Sequence, residues 1–275
     1  MSTSIDQAFI TQYSAEVHEA FQRRGSLLRV GCRTQPIQRG NKYVFPKIGK
    51  GSASSKARHS KVPTMNAQHS SVEVSPEDRY AADYVDYFDA LKTNIPERQL
   101  VANAGAWALG READDQIINN GLKKGGADIA HGSAGMTLTK AMKIIEIFGN
   151  NDVPDDGNRF AAISPKAWTD LLQLKEFSSA DYVGDDLVFK QAGSMKVRTW
   201  LGIHWIMHSG LGVATNVRTC FAWHKTCVGH AVLGDIMTDV SWENDYDAWF
   251  VKSKSSMNAC QIDQTGIVQF EVSEA

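Results

Sequence analysis

The sequence contains no run of eighteen apolar residues, which excludes a helical membrane span of ordinary length. Its opening, MSTSIDQAF, lacks a basic stretch leading into an apolar one, so a secretory leader is not expected. Four cysteines (Cys32, Cys220, Cys227 and Cys260) form no CxxC pair, and reduced thiols in a cytosolic compartment are the simplest expectation. The net charge of −2 lacks the overall basicity of a dedicated nucleic-acid binder. One absence is local: residues 20–72 carry neither Asp nor Glu.

That same stretch holds eleven Lys and Arg, including Lys47, Lys50, Lys56, Arg58 and Lys61. The next residues reverse the sign with Glu73, Glu77, Asp78, Asp83, Asp86 and Asp89, against Arg79 alone. Charge is segregated rather than in excess. A basic arm on one molecule can then meet an acidic patch on the next, which points to assembly before catalysis.

At 275 residues and 43% apolar composition, one or two domains with a real core are expected. Ile5, Phe9, Tyr13, Val17 and Phe21 recur at helical spacing, predicting a helix over 5–24. Residues 42–48 read as a strand, and GKGSASSKARHSK (49–61) has no large apolar side chain to bury. With a second strand around Val72 and Val74, residues 43–75 form an expected two-stranded excursion. At up to about fifteen residues per leg it would reach on the order of 50 Å. Pro96 opens the longest helical pattern, expected to end near Asn120, before Gly121. A Gly-rich loop, a helix over 137–148, a strand over 160–163 and a helix capped by Ser164 and begun by Pro165 follow. Beyond these, 197–207, 218–223, 249–251 and 262–272 read as strands. Helices and strands are segregated rather than alternating, so the expected class is α+β.

Candidate chemistry is sparse. Cys220, His224, Cys227 and His230 fall within eleven residues and are the metal-like set, but zinc usually takes two ligand pairs from separate segments. Buried thiols and hydrogen-bonded histidines are the plainer expectation. Gly49 to Ser52 lacks the earlier glycine of a phosphate loop. Gly132 to Gly135 lacks the spacing of a nucleophile elbow. Glu243, Asp245 and Asp247 do not space as a calcium loop, and a solvated turn is expected there. His131, His204 and His208 have no Ser or Cys partner by spacing. Trp200 and Trp205, read as one strand, would face opposite sides of a sheet. No catalytic arrangement and no cofactor are expected.

Several segments in order resemble the major capsid proteins of tailed bacteriophages. Phe221, Ala222, Trp223, His224, Lys225, Thr226 and Cys227 are similar to that family's apolar-Phe-His-Lys-x-Ala stretch, with Cys227 where a small Ala is usual. The segment Gly202–Leu211 and the run Phe160–Pro165 with Trp168, Leu171 and Leu172 are similar to two further family segments. The resemblance implies an N-terminal arm (1–42), an extended loop (43–75), a peripheral domain (76–159 and 246–275) with a spine helix over 96–120, and an axial domain (160–245). It also implies self-assembly into pentamers and hexamers of an icosahedral head around double-stranded DNA, with a separate scaffolding protein and a portal. DNA would be contacted non-specifically, no membrane would be involved, and assembly would take place in the bacterial host cytoplasm. An encapsulin-like shell packaging enzymes shares the fold and is the alternative, and a metal enzyme centred on Cys220 is a third. Some relatives crosslink a loop lysine, and Lys50, Lys56 and Lys61 are candidates by location.

Overall fold

A computed structural model describes residues 23–92, 96–178 and 197–274. The expected helix over 5–24 lies almost wholly outside them. Twelve strands are present among the described residues: β1 (Arg33–Pro36), β2 (Tyr43–Ile48), β3 (His69–Val74), β4 (Glu77–Asp86), β5 (Arg159–Ile163), β6 (Val197–Trp200), β7 (Ile203–Met207), β8 (Val213–Ala214), β9 (Val217–His224), β10 (Val228–Glu243), β11 (Ala248–Gln261) and β12 (Ile267–Ser273). The helices are α1 (Tyr87–Lys92), α2 (Glu97–Gln116), α3 (Leu138–Asn150), α4 (Pro165–Gln173) and α5 (Lys175–Ser178).

Contacts group the chain into two compact units. Among the described residues, one comprises 23–25, 78–92, 96–112 and 234–256; the other comprises 26–77, 113–178, 197–233 and 257–274.

The second unit holds the main core. Its six-stranded sheet runs β12-β9-β5-β7-β6, with β8 beside β9. β5 is parallel to β7 and antiparallel to β9, and all five of its residues are buried. A strand flanked on both sides and covered on both faces reads as a continuous apolar run, which is why FAAI was legible. Ser164 caps α4 by accepting from Ala167 N–H at 3.1 Å, and Thr137 caps α3 through Lys140 N–H at 3.3 Å.

Three expectations change. The run 197–207 is a hairpin, β6 to β7, turned at Leu201 and Gly202, both with positive φ. The fold-back brings Trp200 and Trp205 together: their rings lie 6.1 Å apart and Trp205 Nε1 donates to Trp200 O at 3.1 Å. Gly121 does not stop its helix; α2 continues as a π-helical turn over Ile117–Leu122. A Cβ at Gly121 would come within 2.8 Å of Val228 Cγ1, so this glycine serves close packing. Finally, β4, β10 and most of β11 are strands where the sequence showed mixed or polar patterns. In the first unit β4 lies beside β11 and β11 beside β10, with many side chains open to solvent on β4 and β10.

Candidate assembly surface

The extended loop is a short hairpin under a long unladdered tip. β2 and β3 pair over six positions, Tyr43 with Val74 through Ile48 with His69. One more backbone bond, Gly49 N to Gln68 O at 2.8 Å, closes the ladder. At about 3.3 Å per residue the paired part is roughly 20 Å long, far shorter than expected. The sequence beyond it explains the stop: residues 50–61 offer no β-branched residue and no Phe, Tyr or Trp to make cross-strand pairs.

The hairpin's base is fixed to its own body. Phe45 is fully buried and packs with Ile37, Val74, Ala231, Cys260 and Ile262. Gly229 makes room for it, since a Cβ there would sit 2.7 Å from Phe45 Cε2. Lys47 pairs with Asp263 at 2.9 Å, Lys50 with Asp152 at 2.6 Å and Lys42 with Glu73 at 3.0 Å. Hydrogen bonds from Lys47 and Thr265 outweigh burial and hold the Asp263 carboxyl below its ordinary range. Lys56, Arg58 and Lys61 are exposed and pair with none of the described residues. His59, at the tip, has φ of 68°.

The expected acidic counterpart is mostly engaged locally. Glu77 accepts from Asn258 at 3.4 Å and Asp78 from Ser256 Oγ at 2.6 Å. Asp83 and Asp86 accept backbone N–H groups of Tyr84 and Phe88, and Asp89 pairs with Lys92 at 3.3 Å. Glu73 faces Lys42 within the hairpin.

The metal-like set is used otherwise. Cys220 is buried in β9, and burial pushes its thiol up to about 12; burial likewise raises Cys227 and Cys260 to about 11 and Cys32 further. His224 Nε2 contacts Asp156 at 2.9 Å and its Nδ1 lies 2.8 Å from Thr226 Oγ1. His230 is buried in β10 opposite Thr34. No three His, Cys, Asp or Glu side chains gather as ligands among the described residues. His204 bridges Thr199 Oγ1 and Gly157 O.

Two buried polar sites escaped the sequence reading. Asp114 accepts from Ser26 Oγ at 2.6 Å, from Leu27 and Leu28 N–H at 3.1 Å and from His208 Nε2 at 3.1 Å. Burial opposes its charge, but these bonds, His208's first, hold the carboxyl below its ordinary range. Lys140 Nζ is ringed by four carbonyls: His131 and Ala134 at 2.8 Å, Gly135 at 2.9 Å and Glu271 at 3.2 Å. A lone acid or lysine inside a helical pattern gives no sign of such a cage, because its donors or acceptors come from distant loops.

The whole described architecture has counterparts. The sequence matches the model of the phage capsid protein family over residues 5–274. No curated protein matches it. The capsid of the cyanophage P-SCSP1u is similar at 16% identity and a TM-score of 0.73, over 100% of this chain and 96% of that one. A chain of Mycobacterium phage Che8 aligns at 15% identity and 0.71, covering 96% and 97%. The capsid of a native GTA particle aligns at 12% identity and 0.69, covering 98% and 97%. With the family model spanning nearly all of the sequence and the capsid fold running end to end, the chain belongs to the phage capsid protein family and is a structural major capsid protein of a bacteriophage shell.

Proposed function

We propose that this subunit assembles into the pentamers and hexamers of an icosahedral head that encloses double-stranded DNA. Its work is architectural and involves no catalysis or cofactor. A separate scaffolding protein and a portal complete the assembly in the host cytoplasm, and DNA contact is non-specific. The observation that carries the reading is the exposed, acid-free loop tip with Lys56, Arg58 and Lys61, mounted on a base anchored by Phe45. Such a tip has nothing to bury in its own molecule and finds complementary charge on a neighbour. Each exposed pair contributes only about 0–1 kcal/mol, so individual contacts remain reversible while a closed shell accumulates many.

The test is size-exclusion chromatography with negative-stain imaging of the wild-type protein and of the triple variant Lys56→Ala, Arg58→Ala, Lys61→Ala. Wild type forms large hollow particles or capsomers; the variant stays folded by circular dichroism and forms them slowly or not at all. Normal shells from the variant would remove the tip from the mechanism, and nucleic-acid-free shells loaded with an enzyme would replace the DNA reading.

A further inference from the structure

Four aromatic side chains of the first unit bound a cavity that their own packing does not fill. Trp242 stands near the end of β10 and Trp249 near the start of β11, so the turn between the strands sets the two indoles side by side, 5.1 Å apart and 71° from coplanar. β4 runs straight into α1, whose first residues complete the enclosure. Tyr87 lies 6.2 Å from Trp242 at 87°, and Phe88 lies 5.5 Å from Tyr87 at 77°. Successive rings are near perpendicular, so they stand as walls. Tyr84 and Phe250 do the opposite, stacking at 4.7 Å and 29° and filling their own space.

The walls bound a cavity of about 390 Å³, whose fifth lining residue is Asp247. Small-molecule sites span about 300–1,000 Å³, so this one suits a compact ligand. Rings assembled only to bury one another would be covered, yet Tyr87 and Phe88 are 45% and 57% exposed.

The chemistry of the lining selects the occupant. The face of an aromatic ring is its negative pole and attracts a cation. Trp249 already shows this, with the Arg98 guanidinium 4.8 Å from its ring centroid. Asp247 adds a full negative charge, and its carboxylate pairs with none of the described residues. From Gly234 to Asp247 there are five acids and no Lys, Arg or His, so the turn supplies no cation of its own. The nearby Lys92 and Lys252 are held by Asp89 and Asp239, both at 3.3 Å.

A primary ammonium fits this lining poorly, because it is strongly hydrated and brings three donors to a single carboxylate. A bare metal ion would have to exchange its water for ring faces. A quaternary ammonium has no N–H to satisfy, keeps its charge at every pH and presents methyl groups to the rings.

We propose that Tyr87, Phe88, Trp242, Trp249 and Asp247 form a cage for the quaternary ammonium group of a small soluble organic cation of the choline type. The cage is complete within one chain and does not depend on the shell reading above.

Isothermal titration of the full-length protein with choline chloride tests it, beside the uncharged analogue in which carbon replaces the nitrogen. Saturable choline binding is expected, about tenfold or more tighter than that of the analogue. Asp247→Asn keeps the side-chain shape at a φ of 48° and should weaken choline several-fold while leaving the analogue unchanged. Trp242→Leu should weaken choline about tenfold, whereas Trp242→Phe, which keeps an aromatic wall, retains most of the binding and separates a lost ring from a lost fold. No saturable binding, or equal affinity for choline and the analogue, overturns the cage. Choline binding that survives both Asp247→Asn and Trp242→Leu also overturns it, since the ligand then sits elsewhere. Two other occupants leave their own signatures. Capture of the chain by phosphatidylcholine vesicles without binding of free choline assigns a membrane headgroup, and self-association lost in Trp242→Leu without choline binding assigns a second copy; either result overturns the solute site.

Discussion

His208 donates its Nε2 proton to Asp114 across 3.1 Å, with both side chains fully buried. The tautomer follows from the other ring nitrogen, since Gly210 N–H donates to Nδ1 at 3.2 Å. Asp114 sits near the end of α2 and also collects Ser26, Leu27 and Leu28, so one carboxylate ties this helix end to residues 26–28. Replacing Asp114 with Ala strands these donors in the interior and is expected to cost about 3–5 kcal/mol, since several buried groups each lose a hydrogen bond at about 1–3 kcal/mol apiece. Urea unfolding measures it; a loss under 1 kcal/mol sinks the assignment.

The same group sets an acid limit. Its folded-state pKa lies below the ordinary value, so the stabilisation is complete above the unfolded value of about 3.9 and disappears as pH falls through the lower folded value. Wild type should therefore lose stability steeply below about pH 4. Asp114→Asn, already weaker at pH 7, should lose less over that range. Parallel urea midpoints between pH 3 and 7 decide it, and a gap between the two proteins that stays constant with pH contradicts it.

Lys140 holds together a loop with little apolar content. Its ammonium has three protons for four carbonyl acceptors, from His131, Ala134, Gly135 and Glu271. Lys140→Met keeps the stem and removes the charge, leaving those acceptors short of partners. A cost of about 1–3 kcal/mol is expected, together with faster amide exchange across 131–136. Unchanged exchange there would falsify the role.

Gly229 is required by Phe45. An alanine Cβ would lie 2.7 and 2.8 Å from the Phe45 ring carbons Cε2 and Cζ, closer than real contacts allow. Gly229→Ala should destabilise by roughly 1–3 kcal/mol, as overpacking does. Adding Phe45→Leu should recover part of the loss, because the smaller side chain vacates the space. Calorimetric melting of the two variants is the measurement, and simple additivity of their losses argues against the clash.

Buried thiols make a further check. Burial raises Cys220 to about 12 and Cys227 and Cys260 to about 11. A thiol reagent at pH 8 should label none of the four cysteines in the native protein and all four after denaturation. Rapid native labelling of any of them means that its surroundings open.

Local chemistry marked the elements that the structure keeps. Ser164 followed by Pro165 specified a helix start by capping and by a fixed φ, and FAAI specified a buried strand by its unbroken apolar run. The six-residue hairpin ladder was legible from Tyr43 to Ile48, and the acid-free loop tip was legible from charge alone. Hidden from the sequence were β4 and the second half of β10, whose exposed faces carry acids in place of a clean alternation. A strand whose side chains stay open to solvent has no reason to show a clean apolar alternation.

Composition and order thus determined that this chain has a cationic tip with no interior to bury it in, because charge and side-chain size are properties of residues singly. The fold alone decided where the carboxylates stand. Asp114 became an internal anchor, and Asp78, Asp83 and Asp86 became partners of groups close by in the fold. Pairing, burial and spare backbone donors arise only when distant segments meet, and no single stretch of sequence contains them.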